Sequence, residues 1–261
     1  DFPARNVIPK PYQKPHPPLW VACSNIKTIG QAGEWGMGAL GFTFVSPDAA
    51  TAWVNKYYNN LLHRPNRLTE YPVNPNIAMV SGFMCAETDE EAYEKASGWT
   101  FFIFALSYYG RKGVDAPGEG NLWEEFQDWR HSEKAQDAFK GALIGSPATI
   151  RKKLHQFQEA HVDQVILLNQ AGKTSHEDIC GSLKMFAEEV MPEFHALEAD
   201  HAQWKDDVLS GRLVLEDLGT QAYDIFSHQN ADIVRLTPEE LKARMAAKDA
   251  AQKEASVTPS P

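Results

Sequence analysis

The feature that most constrains this chain is a unit that recurs along it: a short apolar run, then a capped segment with helical spacing. Residues 19–23 (LWVAC), 38–45 (GALGFTFV), 76–86 (NIAMVSGFMCA) and 162–168 (VDQVILL) are the apolar runs. Runs that are continuously apolar, without polar alternation, are how strands covered on both faces read. Prolines at 9, 11, 15, 17 and 18 keep the chain extended up to the first run. Ser24-Asn25 then offers N-cap side chains to a helix over 26–35 that stops at Gly36. Ser46-Pro47-Asp48 opens a second helix with Ala50, Trp53, Val54, Tyr57 and Leu61 on its stripe, and Thr88 to Glu91 caps a third running to about Tyr108. Ser146-Pro147 starts a helix carrying Ile150, Leu154 and Phe157, and Ser175 to Asp178 starts one carrying Ile179, Leu183, Phe186 and Val190.

Strands alternating with helices predict a parallel sheet, and about four such units are half of a (β/α)8 barrel. Four parallel strands do not close on themselves. The chain begins with Asp1 and enters at once a proline-rich approach to a strand, so the expectation is the second half of a barrel whose first strands are missing. That half is expected over residues 1–200, with an insertion at about 110–140 where Gly110, Gly113, Pro117, Gly118 and Gly120 interrupt the pattern. Residues 201–261 are polar, helix-prone and rich in Ala, Lys and Glu, which predicts a helical C-terminal extension wrapping the barrel or a neighbouring subunit of a homo-oligomer.

Charge and cysteine usage narrow the function classes. A net charge of −10 and no cluster of Lys and Arg argue against a nucleic-acid partner. Cys23, Cys85 and Cys180 are too dispersed and too few for a disulfide framework, no run is long enough to span a bilayer, and the N-terminus has no leader-like apolar core. A cytoplasmic location is expected.

In a barrel the chemistry gathers at the carboxy ends of the strands. The richest of these ends is Cys23-Ser24-Asn25-Ile26-Lys27-Thr28, where a strand gives way to a helix N-terminus carrying two hydroxyls. Free amides and the helix dipole there suit a phosphate dianion. From the residues alone a second reading stands equally, with Ser24 an ordinary cap and Thr28 a surface residue. Phe42, Thr43, Asn169 and Gln170 end other strands and are candidates to line a cavity, Gln170 first among them. Gly36 to Gly41 spells G-x-G-x-x-G but joins a helix to a strand, the reverse of a dinucleotide turn, so Gly36 reads as a helix C-cap and Gly41 as a close-packing position. His176 and Cys180, four apart, lack the further ligands of a metal site. Cys23 at a helix N-terminus is a conceivable nucleophile with no base beside it.

Four segments carry a resemblance: PKPYQKPHPPLWVACS at 9–24, GSPATIRKKL at 145–154, VDQVILLNQAG at 162–172 and HEDICGSLKMFAEEVMPEF at 176–194. Together, over about residues 5–195, they resemble the C-terminal half of the bacterial luciferase-like flavin-dependent monooxygenases. The resemblance implies a luciferase-like TIM barrel and a monooxygenase reaction. Reduced FMN from a separate flavin reductase and molecular oxygen would oxygenate a hydrophobic small molecule. It also implies that the FMN phosphate lies after the first strand, with Cys23, Ser24, Asn25 and Thr28 around it and the two hydroxyls as donors. The catalytic residue is expected in the half that is absent. A deazaflavin-dependent dehydrogenase and a non-catalytic flavin-binding or dimerisation module are the alternatives.

Overall fold

The computed structural model describes residues 3, 5–6, 8–41, 47–112, 121–169, 172 and 174–218. The first three strands fall where the apolar runs predict: β1 (Trp20–Cys23), β2 (Gly38–Gly41) and β3 (Ile77–Cys85). Residues 42–45, expected to extend β2, and Ser46, expected to cap the next helix, lie outside the described residues. The last apolar run forms β5 (Gln164–Leu168), and every strand pairing is parallel.

The alternation contains one strand more than the apolar runs predict. Leu143–Gly145 forms β4, which pairs with Phe83 to Cys85 at the carboxy end of β3. Ala39 to Gly41 of β2 and Gln164 to Leu168 of β5 both pair with the amino half of β3, so β2 and β5 flank it on opposite sides. The order β1-β2-β3-β5 is therefore a four-strand parallel sheet, and among the described residues no further strand pairs with β1 or β5 at its edges. All nine residues of β3 are buried, whereas edge strands β1 and β5 expose residues such as Ala22, Gln164 and Ile166. Unpaired edges are what an unclosed half-barrel must present.

Helices α1 (Ile26–Trp35), α2 (Pro47–His63), α7 (Pro147–Glu159) and α8 (His176–Glu189) cover one face of this sheet. Trp53, Tyr57 and Leu61 of α2 pack with Ile29 of α1, with Ile150 and Phe157 of α7, and with Ile77, Met79 and Phe83 of β3. The single helix expected after β3 is two, α3 (Asp89–Lys95) and α4 (Ser97–Lys112), broken at Ala96. The inserted stretch supplies α5 (Leu122–Trp129) and α6 (Glu133–Phe139), held to α4 by aromatic pairs such as Phe101–Trp123 and Phe104–Trp129 at 5.1 and 5.0 Å. Residues 113–120, the core of the glycine-rich loop, lie outside the described residues. Short α9 (Met191–Ala196) leads to α10 (Glu198–Leu209). Beyond it the chain runs along α2, where Asn59 and Asn55 donate to the carbonyls of Leu215 and Glu216 at 3.3 and 3.0 Å. Residues 219–261 lie outside the described residues.

One close approach fixes how α4 meets the strands. The Trp99 indole lies directly over Gly82, so that a Cβ at position 82 would fall inside the ring, and Trp99 packs there with Met84, Ala86 and Ile144. Gly82→Ala is expected to cost about 1–3 kcal/mol through overpacking. The measurement is a lowered urea midpoint at unchanged slope; an unchanged midpoint would mean that α4 gives way freely.

Candidate active site

Because all five strands are parallel, Cys23, Gly41, Cys85, Gly145 and Leu168 end on the same side of the sheet. A helix follows each of these ends, and of the four whose first-turn side chains are described, α1, α3, α7 and α8, three are already occupied by the chain's own carboxylates. Asp89, Glu90 and Glu91 fill the first turn of α3, and Glu177 and Asp178 that of α8. At α7, Asp89 reaches across: its Oδ1 accepts the Ser146 N–H at 2.7 Å and its Oδ2 the Thr149 hydroxyl at 2.8 Å. The Ser146 N–H accordingly holds the Asp89 carboxyl below its usual range.

The fourth, α1, has no acidic residue in its first turn. Its cap is a correction to the sequence reading, because Asn25 and not Ser24 caps the helix. Asn25 has extended backbone at φ −158°, its Oδ1 accepts the Thr28 N–H at 3.0 Å, and the Thr28 hydroxyl closes a capping box by accepting the Asn25 N–H at 3.3 Å. The same hydroxyl donates its hydrogen to the Asn25 carbonyl at 2.8 Å. Ser24 is left just outside the helix, with an exposed side chain. The amides of Ile26 and Lys27, in the first turn, have no acceptor within the helix. Exposed Ser24, these amides and the positive end of the dipole form a donor set suited to an anion of phosphate size.

Cys23 stands beside this set but is no nucleophile. It is fully buried, its thiol donates to the carbonyls of Val21 and Thr28 at 3.3 and 3.4 Å, and burial pushes it up to about 11. Desolvation outweighs the hydrogen bonds of Thr28 and the Leu40 backbone, which pull the other way. Phe42, Thr43 and Gln170, the other predicted site residues, lie outside the described residues. Asn169 is described: it is 8% exposed at the end of β5, and its Nδ2 is buried with no hydrogen-bond partner among the described residues. Cys180 is exposed with its Sγ 3.4 Å from His176 Nε2. Among the described residues no three His, Cys, Asp or Glu side chains gather as metal ligands, and no helix is long and apolar enough to cross a membrane.

The sequence reading missed a polar cluster at the opposite end of the sheet. Asp163, just before β5, accepts from Tyr58, Ile77, His201 and Lys205, and a cleft of about 450 Å³ opens beside it. In a barrel this end carries stability, not chemistry. Only its assembly from residues 58, 77, 163, 201 and 205 reveals it, and no local motif signals it.

The profile of the family described as luciferase-like monooxygenase matches residues 2–164. Among solved structures, apo-MsnO8 is 20% identical at a TM-score of 0.50, covering 69% of this chain and 52% of its own. The monooxygenase RslO1 from Streptomyces bottropensis is 19% identical at 0.49, covering 72% and 51%. The coenzyme F420 dependent tetrahydromethanopterin reductase from Methanopyrus kandleri is 20% identical at 0.49, covering 68% and 51%. At these identities the likeness is one of fold, and the chain spans about half the length of these structures. No curated protein matches it.

Proposed function

We propose that this chain, which belongs to the luciferase-like monooxygenase family, binds the phosphate of FMN at the carboxy end of β1 and forms half of a flavin monooxygenase site. The family embraces flavin-dependent monooxygenases and F420-dependent oxidoreductases. The observation that carries the reading is the contrast among the four helix N-termini at the mouth. Three hold the protein's own carboxylates, while α1 has no acidic residue in its first turn and presents Ser24 beside its first-turn amides. Ser24 donates its hydroxyl to a phosphate oxygen, and the amides of Ile26 and Lys27 donate beside it. Asn25 and Thr28 hold the turn in the shape that aims these donors. Lys27 adds a positive charge one residue into the helix.

When bound, reduced FMN delivered by a separate reductase would supply the two electrons with which dioxygen places one oxygen atom in a hydrophobic small molecule and releases the other as water. The chain's own contribution is to anchor the cofactor and to wall its site with apolar side chains such as Trp99 and Leu168, which limit water.

Titration of the full-length protein with FMN and with riboflavin, which lacks the phosphate, tests the reading. One charge-assisted bond from Ser24 and one from an amide, at about 1.5–3 kcal/mol each, predict FMN binding tighter by roughly a hundredfold or more. Equal affinities would show that no phosphate site exists.

A further inference from the structure

We propose that Asn169 is a positioning residue for the flavin ring, its side-chain amide donating to a carbonyl on the pyrimidine edge of the isoalloxazine. The inference rests on the flavin reading above. Asn169 is 8% exposed and its Nδ2 is buried without a partner among the described residues. Buried polar atoms are almost always hydrogen-bonded, because an unmade bond leaves the cost of desolvation uncompensated. An orphaned NH2 at the carboxy end of a strand in this fold is therefore a donor awaiting an acceptor from a ligand.

Its place agrees with the anchor. Across the sheet, β5 is three strands from β1, and the register sets Ser24 level with Ile166, so Asn169 lies three residues further along its strand and about 17 Å from Ser24 at the usual spacings. A flavin whose phosphate sits at Ser24 has its ring set away from that anchor by the ribityl chain, across the mouth toward β3 and β5. Apolar surface lines that end of the path. Leu168 pairs with Gly82, Gly82 is covered by the Trp99 indole, and both side chains belong to the cluster around Met84 and Ile144. A flat, largely apolar ring with polar atoms on one edge suits such a wall with a single amide donor beside it. The ring carbonyls accept in both oxidised and reduced flavin, so the bond is kept through the redox cycle.

The test is Asn169→Leu in the full-length protein, read by thermal melting without flavin and by titration with FMN and riboflavin. Removing an unpaired buried amide is expected to raise the melting temperature of the flavin-free protein. The same change is expected to weaken FMN and riboflavin alike, each by tenfold or more, because the ring is common to both. Asn169→Asp, which keeps the volume and removes the donor, is expected to weaken both as well and serves where the Leu variant folds poorly. Unchanged flavin affinity in these variants overturns the inference and leaves the phosphate reading intact. A lowered melting temperature for a folded Leu variant also overturns it, since the amide would then be bonded within the fold. If the parent binds neither flavin, the functional reading fails and this inference fails with it.

Discussion

Replacing Asp163 by Ala is expected to destabilise the protein by about 3–5 kcal/mol, the range for removing one partner of a buried ion pair. The side chain is 4% exposed. Its Oδ2 accepts from the Ile77 N–H at 2.7 Å and the Tyr58 hydroxyl at 2.8 Å, and its Oδ1 from His201 Nε2 at 2.8 Å and Lys205 Nζ at 2.9 Å. One carboxylate thus ties the start of β5 to the start of β3, to α2 and to α10. Without it the Lys205 ammonium keeps only Asn76 Oδ1, at 2.6 Å, and the Ile77 amide loses the acceptor observed here. Burial alone would raise the Asp163 carboxyl, but the His201 bond, the Lys205 charge and the Ile77 N–H outweigh it and hold the group below its usual range. A folded-state value below the unfolded one, near 4, means that the ionised form contributes stability above about pH 4. That contribution is lost as pH falls through the folded-state value. Urea unfolding of parent, Asp163→Ala and Asp163→Asn at pH 7 and in acid checks both parts. The Asn variant, which keeps one acceptor, should be the milder, and the gap between it and the parent should close in acid. A loss below 1 kcal/mol for Ala at pH 7 would show that the cluster is held by α10 packing alone.

What the sequence makes legible follows from how locally each feature is encoded. β3 is read correctly because all nine residues are buried and none interrupts its apolar run. β4 is missed because three residues pairing only with Phe83 to Cys85 leave no run to detect, and the glycine and serine after Ile144 read as a helix approach. The caps at Thr88, Ser146 and Ser175 are legible because each is followed by an acid-rich first turn or by a proline at the first helical position. At Ser24-Asn25 two capping residues stand together, and only the backbone decides between them, giving the cap to Asn25 and leaving Ser24 free of that duty. Asn169 reads from the sequence as a cavity-lining candidate, though its unpaired amide does not, and the Asp163 cluster is illegible for a different reason. A lone polar residue beside an apolar run reads as the solvated end of a strand, and only the assembled fold shows it to be buried. The donors to Asp163 lie up to 105 residues away in sequence.

Ser24→Ala is expected to weaken FMN binding by about 10- to 150-fold, the loss of one charge-assisted hydrogen bond worth roughly 1.5–3 kcal/mol. Because Asn25, and not Ser24, caps α1, the folded protein should lose little stability, within about 0.5 kcal/mol as for an ordinary surface substitution. Thr28→Ala should behave differently. It removes the acceptor of the Asn25 N–H and the donor to the Asn25 carbonyl, so it loosens the capping box and costs about 1 kcal/mol of stability. Its effect on FMN passes through the shape of the turn and should be smaller than that of Ser24. Ser146→Ala is the control, since it removes the α7 cap at a helix N-terminus already filled by Asp89. It should cost stability of the same order while leaving FMN affinity unchanged. Riboflavin affinity should not respond to Ser24→Ala, whereas it should fall with Asn169→Leu, so the two ends of the cofactor are read separately. The assignment is wrong if Ser24→Ala binds FMN as the parent does, or if it weakens riboflavin by the same factor as FMN, for then the hydroxyl does not meet the phosphate.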